Sequence, residues 1–276
     1  MNIDKDTLLD KKYSDLKRYL SELGSACVAF SGGVDSTFLL KCAKISLGEN
    51  CIAVTNVSPA FPEEDYIDIR EFCAKEKIRL IQIEADELSL PEYRENGKDR
   101  CYYCKKFFFG KIKEIAKENG IQNVIEGSNV DDISDYRPGM RAIKELGIIS
   151  PLMANGLTKS DIRELSKKLE LPTWDKPSFA CLASRIPYGV EITKEKLLMI
   201  SQGERLLREL GLRQYRVRIH GDVARIEVMK DEFSIILDDK NREKILKEFK
   251  EIGFKYISLD LDGFRSGSMN EVIETS

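Results

Sequence analysis

The stretch Ser31-Gly32-Gly33-Val34-Asp35-Ser36 constrains this chain more than any other. It follows directly on a short apolar run, Ala26–Phe30, and opens a stretch with helical patterning that reaches Leu47. A buried strand that turns through two glycines into a helix begins a parallel α/β layer. Such a loop offers backbone N–H groups and the positive end of a helix dipole to an anion. The glycines let the backbone approach closely and adopt conformations closed to other residues. Ser31 and Ser36 add hydroxyl donors, and Asp35 can hold Mg2+ between phosphate oxygens. Ser31, Gly32, Gly33, Asp35 and Ser36 are therefore expected to bind a nucleotide's phosphates. The lysine of GxxxxGK[ST] is absent, so this is not a Walker A loop.

The pattern continues through the first two thirds of the chain. Strands are expected at Cys51–Asn56, Arg79–Glu84 and Asn123–Glu126, with helices at Glu63–Lys77 and from about Cys101 to Glu118. That alternation predicts a doubly wound parallel sheet, whose ligands bind beyond the carboxyl ends of the strands. Gly127 and Ser128 end the fourth strand at that same edge. After Pro187 a helix (Thr193–Leu210) leads to the strands Gln214–Ile219 and Val223–Val228, joined by a hairpin signal at His220-Gly221-Asp222. A polar helix over 241–252 and a strand over 256–261 follow. The expected division is an α/β domain over 1–186 and a smaller α+β domain over 187–276.

Seven cysteines do not read as a secreted disulfide framework. Cys27, Cys42, Cys51 and Cys73 lie among apolar neighbours and are expected to be buried hydrophobes. Cys101 and Cys104 form a CxxC pair in the first turn of a predicted helix, where the dipole favours thiolate. Cys181 lies in a polar, proline-marked loop, Lys176–Arg185. Three thiolates can hold three corners of a [4Fe–4S] cube and leave one iron open. Zinc would want a fourth protein ligand, and the single histidine, His220, lies in the other domain and reads as structural. Iron–sulfur is the better reading.

The SGGVDS string resembles the PP-loop of the N-type ATP pyrophosphatases, which cleave ATP between its α and β phosphates. Together with CYYCKKFFF, DDISDYRPGMRA (131–142), KPSFACLASRIPYG (176–189), YRVRIHGDVARIE (215–227) and LDGFRSGSMN (261–270), it makes the chain resemble the LarE family along nearly its whole length. That resemblance implies adenylation of the carboxylates of pyridinium-3,5-biscarboxylic acid mononucleotide and their conversion to thiocarboxylates, in biosynthesis of the nickel-pincer cofactor of lactate racemase. The implied cofactors are ATP, Mg2+ and, in the three-cysteine subtype, a [4Fe–4S] cluster on Cys101, Cys104 and Cys181 that carries sulfide. The other subtype sacrifices one loop cysteine and lacks the cysteine pair. The resemblance further implies catalytic roles for Asp35, Arg185 and Glu204, and a substrate-phosphate site at Ser184, Arg185, Arg216 and Arg218. Arg216 and Arg218 alternate on one strand and so share a face. Implied partners are sulfide or a sulfur donor, the nickel-insertion protein that acts next, and further copies of the chain.

Composition narrows the function classes. Lys+Arg 44 against Asp+Glu 47 gives a net charge of −3, so no global basic field draws the chain to nucleic acid. No apolar stretch reaches membrane-spanning length and the first residues lack a signal sequence, so a cytoplasmic protein is expected. Two readings stand beside the main one: a tRNA thiolase of the same superfamily, and a nucleotide-regulated iron–sulfur binding protein.

Overall fold

The computed structural model describes residues 5–61, 63–134, 138–177 and 181–265. Residues 135–137, 178–180 and 266–270 of the motifs quoted above lie outside them. The chain runs α1 (Lys5–Glu22), β1 (Ala26–Ala29), α2 (Val34–Leu47), β2 (Cys51–Asn56), α3 (Glu63–Lys75), β3 (Arg79–Ile83), α4 (Pro91–Arg94) and α5 (Arg100–Glu118). It continues β4 (Asn123–Ile125), α6 (Gly139–Glu145), α7 (Pro151–Ala154), α8 (Lys159–Lys168), α9 (Lys194–Glu209), β5 (Tyr215–His220) and β6 (Val223–Val228). It closes with α10 (Phe233–Leu237), α11 (Asp239–Ile252) and β7 (Tyr256–Leu259).

These elements form two compact units. The first takes Met1–Ser58, Glu63–Glu87 and Cys101–Ser178; the second takes Pro59–Pro62, Leu88–Arg100 and Phe179–Ser276. The segment from Cys181 to Ile186, expected to close the first domain, packs in the second. The cause is local: Arg185 is fully buried and ion-paired with Glu204 of α9. The short segment around α4 also belongs there, held by Asn96, whose amide donates to the carbonyls of Pro187 and Val190 at 2.7 and 2.9 Å.

In the first unit, β1 to β4 make a parallel sheet in the order β3-β2-β1-β4. Its central strands, ACVA and CIAVTN, are almost wholly buried. A parallel strand covered on both faces requires such a continuous apolar run. One core gathers Cys27, Ile52, Val54 and Val124 with Phe109, Ile112 and Ala116 of α5. α1 was not anticipated; its Leu9, Leu16 and Leu20 are buried at helical spacing. From β1 the chain adds β2 and β3 on one side, then β4 on the other. The order reverses beside β1, which makes the carboxyl ends of β1 and β4 the switch point where ligands of such sheets bind.

The second unit has a mixed sheet, β5-β6-β7, antiparallel then parallel. Gly221 at φ +59 turns the β5–β6 hairpin, in which His220 pairs with Val223. Val217, Ile219, Ile226 and Val228 are buried, as are Leu207 of α9 and Ile245 and Phe249 of α11. No described helix is long and apolar enough to cross a membrane.

Candidate active site

At the switch point, Gly33 caps α2 in an extended conformation, and Gly32 before it sits at φ +68. A Cβ on Gly32 would stand 2.8 Å from Cγ1 of Ile69, so both sterics and dihedral demand glycine. The hydroxyls of Ser31 and Ser36 lie 3.0 Å apart, and Ser36 Oγ also donates to the Gly33 carbonyl at 3.2 Å. These bonds hold the loop's curvature. The end of β4 presses on the loop, because a Cβ on Gly127 would meet Ser36 N at 3.0 Å. Gly127 is thus a spacer that lets β4 approach the glycine loop. Ser128 is turned elsewhere: its hydroxyl donates to the buried Glu126 at 2.8 Å.

Asp35 lies in the first turn of α2. Its Oδ2 accepts from Lys159 Nζ at 2.6 Å, while Oδ1 is buried with no hydrogen-bond partner among the described residues. Burial pushes its carboxyl above the usual carboxylate range, and Lys159 opposes that rise. A buried anionic oxygen without a donor is the position a cation fills, so the residues present fit Mg2+. Lys159 was missed in the sequence. Its signal was the capping box Thr158–Asp161, which starts α8 beside Asp35.

The cysteines divide as expected. Cys27, Cys42, Cys51 and Cys73 are buried, and burial pushes Cys27, Cys51 and Cys73 up to about 12. Cys101 and Cys181 are exposed and Cys104 half-buried. Cys101 and Cys104 stand in the first turn of α5 in the first unit, and Cys181 lies in the second. The Tyr93 hydroxyl and the Cys181 thiol are 3.9 Å apart. Among the described residues no three His, Cys, Asp or Glu side chains gather as metal ligands.

In the second unit three of the expected phosphate residues, Arg185, Arg216 and Arg218, are buried, and Ser184 is half-buried. Arg185 donates through Nε and Nη2 to both oxygens of Glu204, at 2.8 and 3.0 Å, and through Nη1 to the Ser184 hydroxyl at 2.9 Å. Glu204 is buried. Its Oε1 also accepts from Val217 N at 3.0 Å, so it positions Arg185 against β5. Arg218 pairs bidentately with Glu227, at 2.6 and 2.8 Å, and donates to the Ser184 carbonyl at 2.9 Å. Arg216 is 5% exposed, bonded to the Tyr215 carbonyl and stacked over Phe264. Burial, then the neighbouring charge of Arg185, pushes its proton affinity down to about 9. Arg225, joined at 2.9 Å to Glu227 two residues along the same strand, belongs to this cluster and was missed, although period-two alternation already puts the two side chains on one face.

No protein-family model matches the chain. An uncharacterized protein of Synechocystis is 40% identical over 266 residues, covering 96% of this chain and 99% of its own. The pyridinium-3,5-bisthiocarboxylic acid mononucleotide synthase of Lactiplantibacillus plantarum is 36% identical over 271 residues, 97% of this chain and 96% of its own. At greater distance, one subunit of the glutamine-hydrolysing GMP synthase of Thermococcus kodakarensis is 21% identical over 96% of this chain and 87% of its own.

Proposed function

The chain belongs to the pyridinium-3,5-bisthiocarboxylic acid mononucleotide synthase family, and from that premise we propose that it converts the carboxylates of pyridinium-3,5-biscarboxylic acid mononucleotide to thiocarboxylates at the expense of ATP. The observation that carries this reading is the glycine loop at the head of α2, with a buried, unpaired Asp35 oxygen beside it. Ser31, Gly32, Gly33 and Ser36 present donors to the phosphates, and Asp35 holds Mg2+, which neutralises phosphate charge when bound. Gly127 seats the end of β4 against this loop, with the Ser128 hydroxyl held by Glu126.

A substrate carboxylate oxygen attacks the α-phosphorus, and pyrophosphate departs. Sulfur then attacks the acyl carbon and AMP leaves, so one oxygen of the carboxylate ends on AMP. The gathering of Arg185 and Arg218 beside Ser184, whose hydroxyl and carbonyl they hold, supports a substrate-phosphate site at Ser184, Arg185, Arg216 and Arg218, with Glu204 keeping Arg185 in place. Charge-assisted contacts of this kind are worth about 1.5–3 kcal/mol each. Cys101, Cys104 and Cys181 are the residues we assign to a [4Fe–4S] cluster. Bound there, such a cluster offers one open iron to sulfide. The pathway this serves is assembly of the nickel-pincer cofactor, the next partner is the nickel-inserting protein, and we place the enzyme in the cytoplasm as an oligomer.

Anaerobic turnover with ATP, Mg2+, sulfide and the biscarboxylate mononucleotide tests the reading. It should yield several thiocarboxylates per chain with every cysteine intact. One sulfur per chain, with a chain lighter by hydrogen sulfide at Cys181, would overturn the cluster route. No thiocarboxylate at all would overturn the function.

A further inference from the structure

After Arg100, α5 opens with Cys101, Tyr102, Tyr103 and Cys104. A helix turns successive side chains by about 100°, so Cys101 and Cys104 share a face and Tyr102 points away from it. Burial follows that division. Tyr102 is buried, Cys101 is exposed and Cys104 is half-buried. Whatever fixes the Tyr102 ring therefore fixes the direction of both thiols.

α6 fixes it. The Arg141 guanidinium stacks over the ring with its carbon 3.8 Å from the centroid, and the Tyr102 hydroxyl donates to Glu145 Oε2 at 2.7 Å. Arg141 and Glu145 stand one turn apart, 3.9 Å from each other, so one short helix holds the ring at its face and at its tip. Lys106, a turn further along α5, donates to the same hydroxyl at 3.0 Å and lies 3.7 Å from Glu145. The two helices meet closely. A Cβ on Gly139, the first residue of α6, would stand 3.4 Å from the Cys101 carbonyl oxygen.

α6 is itself anchored. Ile143 is buried in the core that α5 and β4 share, and Met140 packs against that core. Met140 Sδ also lies 3.5 Å from the hydroxyl of Ser128, just beyond the end of β4 that Gly127 seats on the glycine loop. The same helix thus touches the strand end beside the glycine loop and the ring between the two cysteines.

We propose that Arg141 and Glu145 are positioning residues for Cys101 and Cys104: they clamp Tyr102, keep the two thiols converged on one outward face, and hold that face in fixed relation to the glycine loop. Both side chains are about half-exposed, so the clamp can be removed without emptying the core. The proposal rests on the assignment of these thiols to the sulfur step and adds the residues that orient them.

A trivalent arsenical reads that convergence directly. Phenylarsine oxide takes two neighbouring sulfurs onto one arsenic, and its oxygen leaves as water with the two thiol protons. The full-length protein is titrated with it in the presence of a chelator and a phosphine reductant, and the bridged peptide is located by mass. In Arg141→Ala combined with Glu145→Gln, affinity for the arsenical should fall about tenfold or more, because the effective concentration of the second thiol drops. Iodoacetamide, which needs only one thiol, should label both cysteines no more slowly than in the parent. Tyr102→Phe, which removes only the bond to Glu145, should show a smaller loss of the same kind, and Arg141→Lys should keep most of the parent's affinity. In anaerobic turnover the double variant should lose thiocarboxylate formation while its KM for ATP stays within about twofold. Unchanged arsenical affinity in the double variant and in Tyr102→Phe would overturn the proposal, as would a parent protein that holds the arsenical no better than a single thiol does. Lost arsenical affinity with full thiocarboxylate formation would overturn the sulfur reading of these thiols, and the proposal with it.

Discussion

Arg185 and Glu204 show what one pair of side chains can cost and hold. Both are buried, at 0% and 5% exposure, and both carboxylate oxygens are used. Removing one partner leaves a charge without water or counter-ion, so Glu204→Ala should destabilise the protein by about 3–5 kcal/mol in denaturant unfolding. A loss below about 1 kcal/mol would mean that water replaces the carboxylate. The sequence placed Arg216 and Arg218 on one face of a strand but did not show that Glu204 pairs with Arg185. Its partner lies 19 positions away, beyond the reach of local pattern. The cysteines were legible because apolar neighbours mark burial. Cys27, Cys51 and Cys73 are raised to about 12 from an ordinary 9.0, so the folded state keeps protons there that the unfolded chain loses. Their contribution to stability is complete below pH 9 and should fall away as pH rises from 9 towards 12. Under native conditions at neutral pH an exposed-thiol reagent should label Cys101, Cys104 and Cys181 and spare the other four. Labelling of Cys27 or Cys42 at the same rate would contradict the burial.

At the scale of elements, β1 and α2 were readable because one strand, two glycines and a helix follow in unbroken order. α1 was not, because its buried Leu9, Leu16 and Leu20 are scattered among charged residues that mask the apolar stripe. The approach of β4 to the loop explains Gly127 better than a ligand contact does. Gly127→Ala would press a methyl against the backbone of Ser36 at 3.0 Å, and backbone cannot give way as a flexible side chain can. ATP affinity should drop about tenfold or more, by displacement of the loop, with little effect on the second unit's own fold. Unchanged ATP binding in this variant would show that the loop moves freely. Asn96 plays the corresponding part around α4. Fully buried at φ +57, it ties the segment before α5 to residues some 90 positions later. Asn96→Ala leaves those carbonyls without their donor and should cost about 1–3 kcal/mol in thermal or denaturant unfolding.

Taken whole, the chain places its glycine loop on a parallel sheet in one unit and its arginine cluster on a mixed sheet in the other. The alternation of strands and helices made the first unit legible, and the hairpin at His220–Val223 made the second so. What could not be read was the traffic between them in sequence. Pro59–Pro62 and Leu88–Arg100 join the second unit, although they stand amid elements of the first. Contacts across such distances leave no periodic trace in a single chain. The central claim is that ATP is split between its α and β phosphates to activate a carboxylate for sulfur. The direct measurement is the nucleotide product formed with the biscarboxylate mononucleotide present and absent, counted against thiocarboxylate. The account predicts AMP and pyrophosphate, formed only with the substrate, one of each for every thiocarboxylate. ADP and phosphate as the substrate-dependent products, or thiocarboxylate formed without any ATP cleavage, would contradict it.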